Sequence, residues 1–205
     1  MTVTHVEVLV EEPSMEAALR LLLPRLLDEL TFEVYPSQCK DDLLAKLPAR
    51  LKGYRSWLPN DWRIVVVIDR DDDDCNVLKE RMERIASEAG LVTKSAARGG
   101  AYSVVNRLVI EELEAWYFGD WQAVCSAYPK VPVTIPGKAQ YRNPDAIGGG
   151  TWEAFERIMQ RAGYFHSGLR KIEAARTVAA HWNIEGNTSH SFQVFRDALR
   201  ELPAS

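Results

Sequence analysis

The segment RIVVVIDRDDDDC, residues 63–75, constrains the fold more strongly than any other part of the chain. Its five consecutive aliphatic residues, 64–68, leave no polar side to face water. Such a run is typical of a central strand in a parallel sheet that is covered on both faces. The run ends at Asp69, and five aspartates occupy the six positions 69–74. Because like charges at this spacing repel one another, the cluster requires a source of positive charge nearby.

The rest of the first 128 residues alternates between strand-like and helix-like segments. Short apolar runs predict further strands at residues 5–12, 31–36, 91–97 and 107–114. Apolar residues at helical spacing predict helices at residues 14–30, 40–58, 75–90 and 114–128, with a kink or break at Pro24 and at Pro48. Alternation of this kind indicates an α/β domain with a parallel sheet.

The character of the sequence changes after residue 128. Residues 129–150 hold four of the ten prolines and four of the twelve glycines, so we expect a loop-rich surface connection. Helical patterns return at residues 151–163, 168–182 and 189–202, the last starting at the capping residue Ser189. The sequence therefore predicts an α/β core at residues 1–128, the connection at residues 129–150, and a helical C-terminal extension at residues 151–205 that packs on the core.

Composition argues against several functional classes. The hydrophobic fraction of 46% supports a buried core, yet no apolar run approaches the roughly 20 residues of a membrane-spanning helix. The first residues lack the pattern of a signal peptide and the three cysteines are far apart, so we expect a cytoplasmic protein with reduced thiols. The four histidines are scattered, which makes a zinc site unexpected. The net charge of −4 argues against sequence-independent coating of DNA, but it is compatible with a nucleic-acid enzyme whose acidic pocket is neutralised by metal.

Acidic residues follow three of the predicted strands, at the edge of a parallel sheet where ligands bind. They are Glu11 and Glu12 after the first strand, Asp69 and Asp71 after the third, and Glu111, Glu112 and Glu114 after the last. In an extended segment, Asp69 and Asp71 point the same way and can share a Mg²⁺ ion, which prefers oxygen ligands. For Asp72, Asp73 and Asp74 the alternative is a solvated cap of the following helix. Glu111 and Glu112 have a surface position as their alternative.

Five motifs between Val6 and Leu202 carry a resemblance to a known family: LVEEPSMEAAL, VVVIDRDDDDC, IEELEAWYFGD, NPDAI and SHSFQVFRDAL. Together they resemble a compact Toprim-like bacterial family catalogued as a domain of unknown function, related to the Toprim domains of the RloB and OLD nucleases. A strand ending in Glu, followed later by a strand ending in DxD, is the Toprim signature. The resemblance implies a Toprim-type sheet, one or two Mg²⁺ or Mn²⁺ ions, nuclease activity on DNA or RNA, and an AAA or ABC-type ATPase partner in phage-defence operons.

Carried over to this chain, the resemblance assigns catalysis and metal binding to Glu11, Asp69, Asp71 and Glu114. Further candidate acids are Glu12, Asp73 and Glu112. Many Toprim proteins have glycine at the position of Glu12, which leaves open whether Glu11 or Glu12 faces the site. It also leaves open a catalytically inert Toprim-like module that binds metal and a partner protein. A haloacid-dehalogenase-type phosphatase is disfavoured, because DRDDDD lacks the threonine that usually follows the DxD of that class.

A nucleic-acid substrate also requires cationic contacts with its phosphates. Lys94, Arg98 and Arg107 are the only charged residues in the segment 91–110, and Lys171 and Arg176 lie in a basic stretch of the C-terminal extension. We expect these five residues to contact nucleic acid. A solvated helix face is the alternative for this basic stretch, and it is favoured for Arg157 and Arg161. The sequence leaves monomer and homodimer both open.

Overall fold

The computed structural model describes residues 2–202. Four strands form one sheet, in which every neighbouring pair is parallel and the strand order is β2-β1-β3-β4. The strands are β1 (His5–Val10), β2 (Thr31–Pro36), β3 (Trp62–Asp69) and β4 (Val104–Val109). The expected α/β fold, a parallel sheet flanked by helices with a helical C-terminal part, is confirmed, and it is consistent with a Toprim-like architecture.

Helices cover both faces of the sheet. Within residues 2–202 they are α1 (Pro13–Leu26), α2 (Lys40–Trp57), α3 (Cys75–Glu88), α4 (Lys94–Ala97), α5 (Leu113–Gly119), α6 (Trp121–Ala127), α7 (Thr151–Arg161), α8 (Lys171–Ala179) and α9 (His190–Arg200). Three short 3₁₀ turns, Ile135–Gly137, Ala139–Tyr141 and Pro144–Ala146, lie between α6 and α7. No helix in this part of the chain has the length and apolar character needed to cross a membrane.

The apolar run of β3 is buried on both faces, as predicted. Residues 64–68 are each at most 1% exposed. Val65 and Val67 point into one core, which α1 and the helices from α5 onward complete. Ile64, Val66 and Ile68 point into a second core, formed with α2 and α3. Two-sided burial explains why this run contains no polar residue, because a polar side chain would lose its hydration on either face.

The predicted strand at residues 91–97 is wrong, and the predicted strand at residues 107–114 exists with different bounds. In the first segment Thr93 makes a single parallel bridge with Val104, and its hydroxyl then accepts a hydrogen bond from the Ala96 amide, which starts the short helix α4. β4 begins at Val104, three residues earlier than expected, and ends at Val109. The acids that follow lie in the turn into α5, where the backbone at Glu111 is left-handed (φ 61°) and cannot continue a strand.

Pro24 and Pro48 do not divide their helices. α1 continues through Pro24 to Leu26, and α2 continues through Pro48 to Trp57. A proline inside a helix removes one backbone hydrogen bond and costs about 3 kcal/mol. The leucines on either side of both prolines are buried, and their burial offsets that cost.

The C-terminal segment fastens α5 through a hydrogen-bonded group that we call the Asp145 cluster, formed by Asp145, Asn187, Ser189, His190 and Ser191. The Asp145 carboxylate accepts hydrogen bonds from the Ser189 and Ser191 hydroxyls at 2.7 and 2.9 Å. It also accepts one from the His190 amide at 2.5 Å. The Ser191 hydroxyl accepts a hydrogen bond from the Trp116 indole, and the Asn187 side-chain amide donates to the Trp116 carbonyl, each at 2.9 Å. The motifs NPDAI and SHSFQVF therefore meet in space and position α5.

Gly119, at the end of α5, fits tightly against the same cluster. A side chain at this position would approach the Ser189 amide nitrogen to 2.8 Å and would overlap the side chain of Asn187. The position therefore requires glycine unless the loop before α9 moves. α8 packs along α1, and its buried residues belong to the first core.

Candidate metal centre

Two buried carboxylates, Asp69 and Glu114, lie at the carboxyl edge of the sheet. Asp69 ends β3 and is 4% exposed, and Glu114 lies in the first turn of α5 and is 1% exposed. Asp69 Oδ1 and both carboxylate oxygens of Glu114 are buried without a hydrogen-bond partner. An ionised carboxylate is costly to bury unless it is paired, so these three oxygens require either protons or a cation.

Burial raises the pKa of both groups. The pKa of Glu114 rises to about 8, although the nearby charge of Lys171 opposes the effect of burial. The pKa of Asp69 rises well above its ordinary value, first because of burial and then because of the surrounding acids, which are Glu11, Glu12, Glu114 and Asp71. At pH 7 and without a bound cation, Glu114 is therefore mostly protonated.

Glu11 follows β1 and reaches the same edge. Its Oε2 accepts a hydrogen bond from the Asp69 backbone amide at 3.0 Å. Burial raises the pKa of Glu11 to about 7, even though this hydrogen bond lowers it, and the charges of Asp71 and Lys40 act in opposite directions. Of the two glutamates after β1, Glu11 is thus the one in direct contact with the DxD segment.

Glu12 lies beside Lys171. Its carboxylate accepts a hydrogen bond from the Ser14 hydroxyl and lies 3.7 Å from Lys171 Nζ. Lys171 is the first residue of α8, and its Nζ is 5.6 Å from the centre of the Trp152 ring. Burial lowers the pKa of Lys171, but the carboxylates around it, Glu114 first, raise it by more. Lys171 therefore supplies a fixed positive charge to this side of the site.

Asp71 does not extend the strand beside Asp69, so the assumption of an extended DxD segment is wrong. β3 ends at Asp69, and the backbone of Asp71 is left-handed, with φ 49°. Its amide donates to the Glu111 carbonyl at 3.0 Å, which ties the turn after β3 to the turn after β4. Aspartate tolerates this backbone region better than most residues. The Asp71 carboxylate instead pairs with Lys40 Nζ at 2.6 Å.

Lys40 is the site residue that the sequence interpretation missed. It starts α2, and its Nζ also contacts the Asp73 carboxylate and the Arg70 carbonyl, each at 2.9 Å. This ammonium is part of the positive charge that the aspartate cluster requires. A lysine in the first turn of a helix opposes the helix dipole, and this unfavourable placement is the signal that could have identified it. Lys171 occupies the same unfavourable position in α8.

Tyr117 is a second group that the sequence interpretation missed. It lies one turn after Glu114 on α5 and is fully buried, and its hydroxyl has no hydrogen-bond partner. Burial, followed by the charge of Glu114, raises the pKa of Tyr117 well above its ordinary value. The hydroxyl therefore stays neutral and is available as a donor next to the acids.

The other candidate acids hold the surrounding structure together. Glu112 Oε2 accepts hydrogen bonds from the Thr151 hydroxyl and the following amide, at 2.9 and 3.0 Å, which tethers the start of α7. The expected capping role is confirmed for Asp74, which accepts hydrogen bonds from the amides of residues 76 and 77. Glu111 pairs with Arg70, whereas Asp72 is exposed.

The five basic residues expected to contact nucleic acid fall into two groups. Lys171 and Arg176 line one cleft beside the acids. Lys94 and Arg98 lie near the start of β4, at the amino edge of the sheet. The six residues of β4 separate the two edges by roughly 16 Å. Arg107, in the middle of β4, donates to a backbone carbonyl at 2.9 Å. The structure does not bring Lys94, Arg98 and Arg107 together with the acids.

Two open clefts flank the acids. The first has a volume of about 520 Å³ and is lined by the glycine run 148–150, by Trp152 and by acids including Asp71 and Glu112. The second has a volume of about 660 Å³ and is lined by Glu12, Lys171, Arg176 and neighbouring residues of α8. The Lys171 ammonium, above the Trp152 ring, stands where the two clefts approach each other.

The donor chemistry of the site fits a hard divalent cation. Asp69 and Glu114 offer unpartnered carboxylate oxygens beside Glu11, and hard cations prefer such ligands. Among residues 2–202, no three His, Cys, Asp or Glu side chains stand in the arrangement of a complete ligand set. The carboxylates thus share one region of the sheet edge but are not drawn together around one point.

A family model described as Domain of unknown function (DUF4276) matches residues 10–200. No curated protein and no solved structure matches this chain. The matched region contains the Asp145 cluster and the charged residues of the candidate site, which are Glu11, Lys40, Asp69, Asp71, Glu114 and Lys171. The chain belongs to the DUF4276 family.

Proposed function

We propose that the protein is a Mg²⁺- or Mn²⁺-dependent nuclease that hydrolyses phosphodiester bonds of DNA or RNA. The observation that carries this proposal is the pair of buried carboxylates, Asp69 and Glu114, with three unpartnered oxygens at the carboxyl edge of a parallel sheet. Ligands of open α/β sheets bind at this edge. The Toprim-like motifs of the sequence support the same chemistry.

The charge balance of the site supports binding of a cation. Among the described residues, the acids that influence one another electrostatically are Glu11, Glu12, Asp69, Asp71, Glu112 and Glu114. Two ammonium groups, those of Lys40 and Lys171, face them. The remaining negative charge is costly where it is buried, and a divalent cation would offset it.

The residues around the acids have distinct roles in this proposal. A bound metal ion supplies Lewis acidity and lowers the pKa of a coordinated water. Glu11, whose carboxylate accepts a hydrogen bond from the Asp69 amide, would accept or return a proton beside the metal ion. Lys40 orients the Asp71 carboxylate through their 2.6 Å ion pair. Lys171 limits the repulsion at Glu114 and holds its charge close to an incoming phosphate.

Phosphates of a substrate have a cationic surface next to the acids. In the 660 Å³ cleft, Lys171 faces Glu12, and Arg170 pairs with Glu173 at 2.5 Å. Arg176 is exposed and makes no ion pair with any residue in the range 2–202. Its guanidinium is therefore the group of this cleft most available to a phosphate.

A second candidate function is a catalytically inert module that binds metal and a partner protein. The observation that favours it is the pair of lysines among the acids, because internal ammonium groups partly replace the charge that a metal ion would supply. The two functions separate in one comparison. The inert module binds Mn²⁺ without cleaving any nucleic acid, whereas the nuclease does both.

We expect the purified protein to convert supercoiled plasmid to nicked or linear DNA, or to degrade RNA, in the presence of Mn²⁺. Chelation with EDTA should stop the reaction, because the buried carboxylates need the ion to hold a phosphate. The assay should be run with the protein alone and with any AAA or ABC-type ATPase that its gene neighbourhood encodes, since the resemblance implies such a partner. No cleavage in either setting, together with no heat of Mn²⁺ binding in calorimetry, would refute the proposal.

Replacing Arg176 with Ala is expected to weaken nucleic-acid binding about equally across sequences and to flatten its salt dependence. The slope of log K against log salt should fall by about 0.9 for duplex DNA, or about 0.7 for a single strand, for the one lost phosphate contact. Arg98→Ala is the matched control, because Arg98 is also exposed but lies at the amino edge of the sheet. Equal slopes for both variants would indicate that the nucleic acid does not bind in the 660 Å³ cleft beside α8.

A further inference from the structure

A third cleft lies at the amino edge of the sheet, opposite the acids. Its volume is about 490 Å³, which is within the usual range for small-molecule sites. The cleft is lined by Arg55, Leu58, Pro59, Asn60, Arg63, Leu91, Val92, Ala101, Tyr102 and Ser103. None of these residues is acidic, and two are arginines, in a chain with a net charge of −4.

Arg63 is the unusual residue of this cleft. It is the second residue of β3 and is 5% exposed. Its Nη1 donates to the carbonyls of Asn60 and Trp62, each at 2.8 Å, while its Nε is buried without a partner. No carboxylate in residues 2–202 lies within 4 Å of this guanidinium. The nearby Asp61 accepts a hydrogen bond from Thr4 at 2.6 Å and interacts with the charge of Arg63 only at longer range. A charged group is rarely buried to this degree without an ionic partner.

Arg55 adds a second positive charge to the same cleft. It lies in the last turn of α2, is exposed, and runs along Gly90, whose backbone has a φ of 75°. It makes no ion pair with the described part of the chain. Two guanidinium groups without carboxylate partners favour a ligand with two negative charges. A phosphate monoester carries about −1.5 to −2 at pH 7 and accepts paired hydrogen bonds from arginine.

The walls of the cleft indicate what the phosphate is attached to. Leu58, Pro59, Leu91 and Val92 present aliphatic surface, and Val92 is 46% exposed. The ring of Tyr102 lies with its centre 5.3 Å from the Arg63 guanidinium carbon, so the cationic and aromatic surfaces adjoin. A ligand that places its phosphate on the arginines would lay an apolar or aromatic body against these residues.

We propose that this cleft binds a phosphate monoester with an apolar or aromatic body. The site is separate from the metal centre, because the six residue steps from Arg63 to Asp69 along β3 span about 20 Å. It does not depend on the nuclease activity. Arg63 fixes the phosphate from within the cleft, and Arg55 closes over it from the surface.

Phenyl phosphate is a suitable probe, and its binding to the protein can be measured by calorimetric titration. Wild type is expected to bind it saturably, and more tightly than either phenol or inorganic phosphate. Arg55→Gln should weaken binding about tenfold, the effect of one charge-assisted hydrogen bond. Arg63→Met should abolish it. The matched controls are Arg84→Gln, an exposed arginine on α3 outside the cleft, and Asp69→Asn at the metal centre, and both should bind as wild type does.

Arg63 is buried, so Arg63→Met requires a check of its folding by circular dichroism. If that variant does not fold, Arg55→Gln alone decides, because Arg55 is exposed. Absence of saturable binding by wild type at millimolar phenyl phosphate would overturn the proposal. Equal affinities for Arg55→Gln and Arg84→Gln would overturn it as well. Equal affinities for inorganic and phenyl phosphate would overturn the assignment of an apolar body.

Discussion

Replacing Asp69 with Asn is expected to abolish Mn²⁺-dependent cleavage and the heat of Mn²⁺ binding while leaving the protein folded. The amide keeps the size of the side chain but removes the charge and one of the oxygens that a cation would use. Mutation of a group that only orients a metal ligand lowers metal affinity or activity about 10–100-fold. Loss of a carboxylate that itself binds the cation should therefore lower both by more than about 100-fold. Cleavage assays and calorimetry on the same preparation measure both effects.

Three comparisons make that result specific. Glu114→Gln should match Asp69→Asn, because Glu114 contributes the other two unpartnered oxygens. Glu11→Gln should lower the rate, because an amide can neither accept a proton nor offer a negative charge to a cation. Asp72→Asn is the matched control: it removes the same charge three residues after Asp69, from an exposed side chain, and should change little. Full activity in both Asp69→Asn and Glu114→Gln would place the reaction elsewhere on the molecule.

In the absence of metal, the free energy of unfolding is expected to fall as the pH rises from about 5 to about 9. The folded-state pKa values of Glu11 and Glu114 are about 7 and about 8, whereas the ordinary value for glutamate is 4.5. Between these values the folded protein holds protons that the unfolded chain has released, so raising the pH favours unfolding. For the fully buried Glu114 alone, the difference corresponds to about 5 kcal/mol at most.

Urea denaturation in EDTA at several pH values measures this slope. Glu114→Gln should flatten it and should be more stable than wild type at about pH 9, because the variant has no carboxyl group to ionise there. Saturating Mn²⁺ should restore the stability of wild type at high pH, since an ion that binds only the folded state stabilises it by mass action. A wild-type stability that rises with pH in EDTA would contradict the raised pKa values.

The sequence predicts the fold best at β3, where the apolar character of the residues alone determines the structure. Residues 64–68 are apolar throughout, and only a strand buried on both faces accommodates such a run. The segment 91–97 is different, because LVT begins like a strand and the hydroxyl of Thr93 then caps a helix. Side-chain capping of this kind competes locally with strand pairing, and composition does not show which one prevails.

The candidate site could be predicted in its acids and in Lys171, but not in Lys40. Glu11, Asp69 and Glu114 follow strand ends, and parallel strands bring their carboxyl ends to one edge. Lys40 follows β2, whose neighbour in the sheet is β1, so its approach to Asp71 depends on strand order rather than on sequence distance. Lys94 and Arg98 were grouped with the acids for their charge alone, and strand direction places them at the other edge.

Because the Asp145 cluster fastens α5, we expect the site to form late during synthesis. A ribosome releases the amino-terminal end first, so a nascent chain of about 180 residues already contains Glu11, Asp69, Asp71 and Glu114. It still lacks the segment 187–191, which fastens α5 through Trp116 and Gly119 and thereby holds Glu114 in place. A nascent chain of this length therefore carries every acid of the site but not the contacts that hold Glu114 in place.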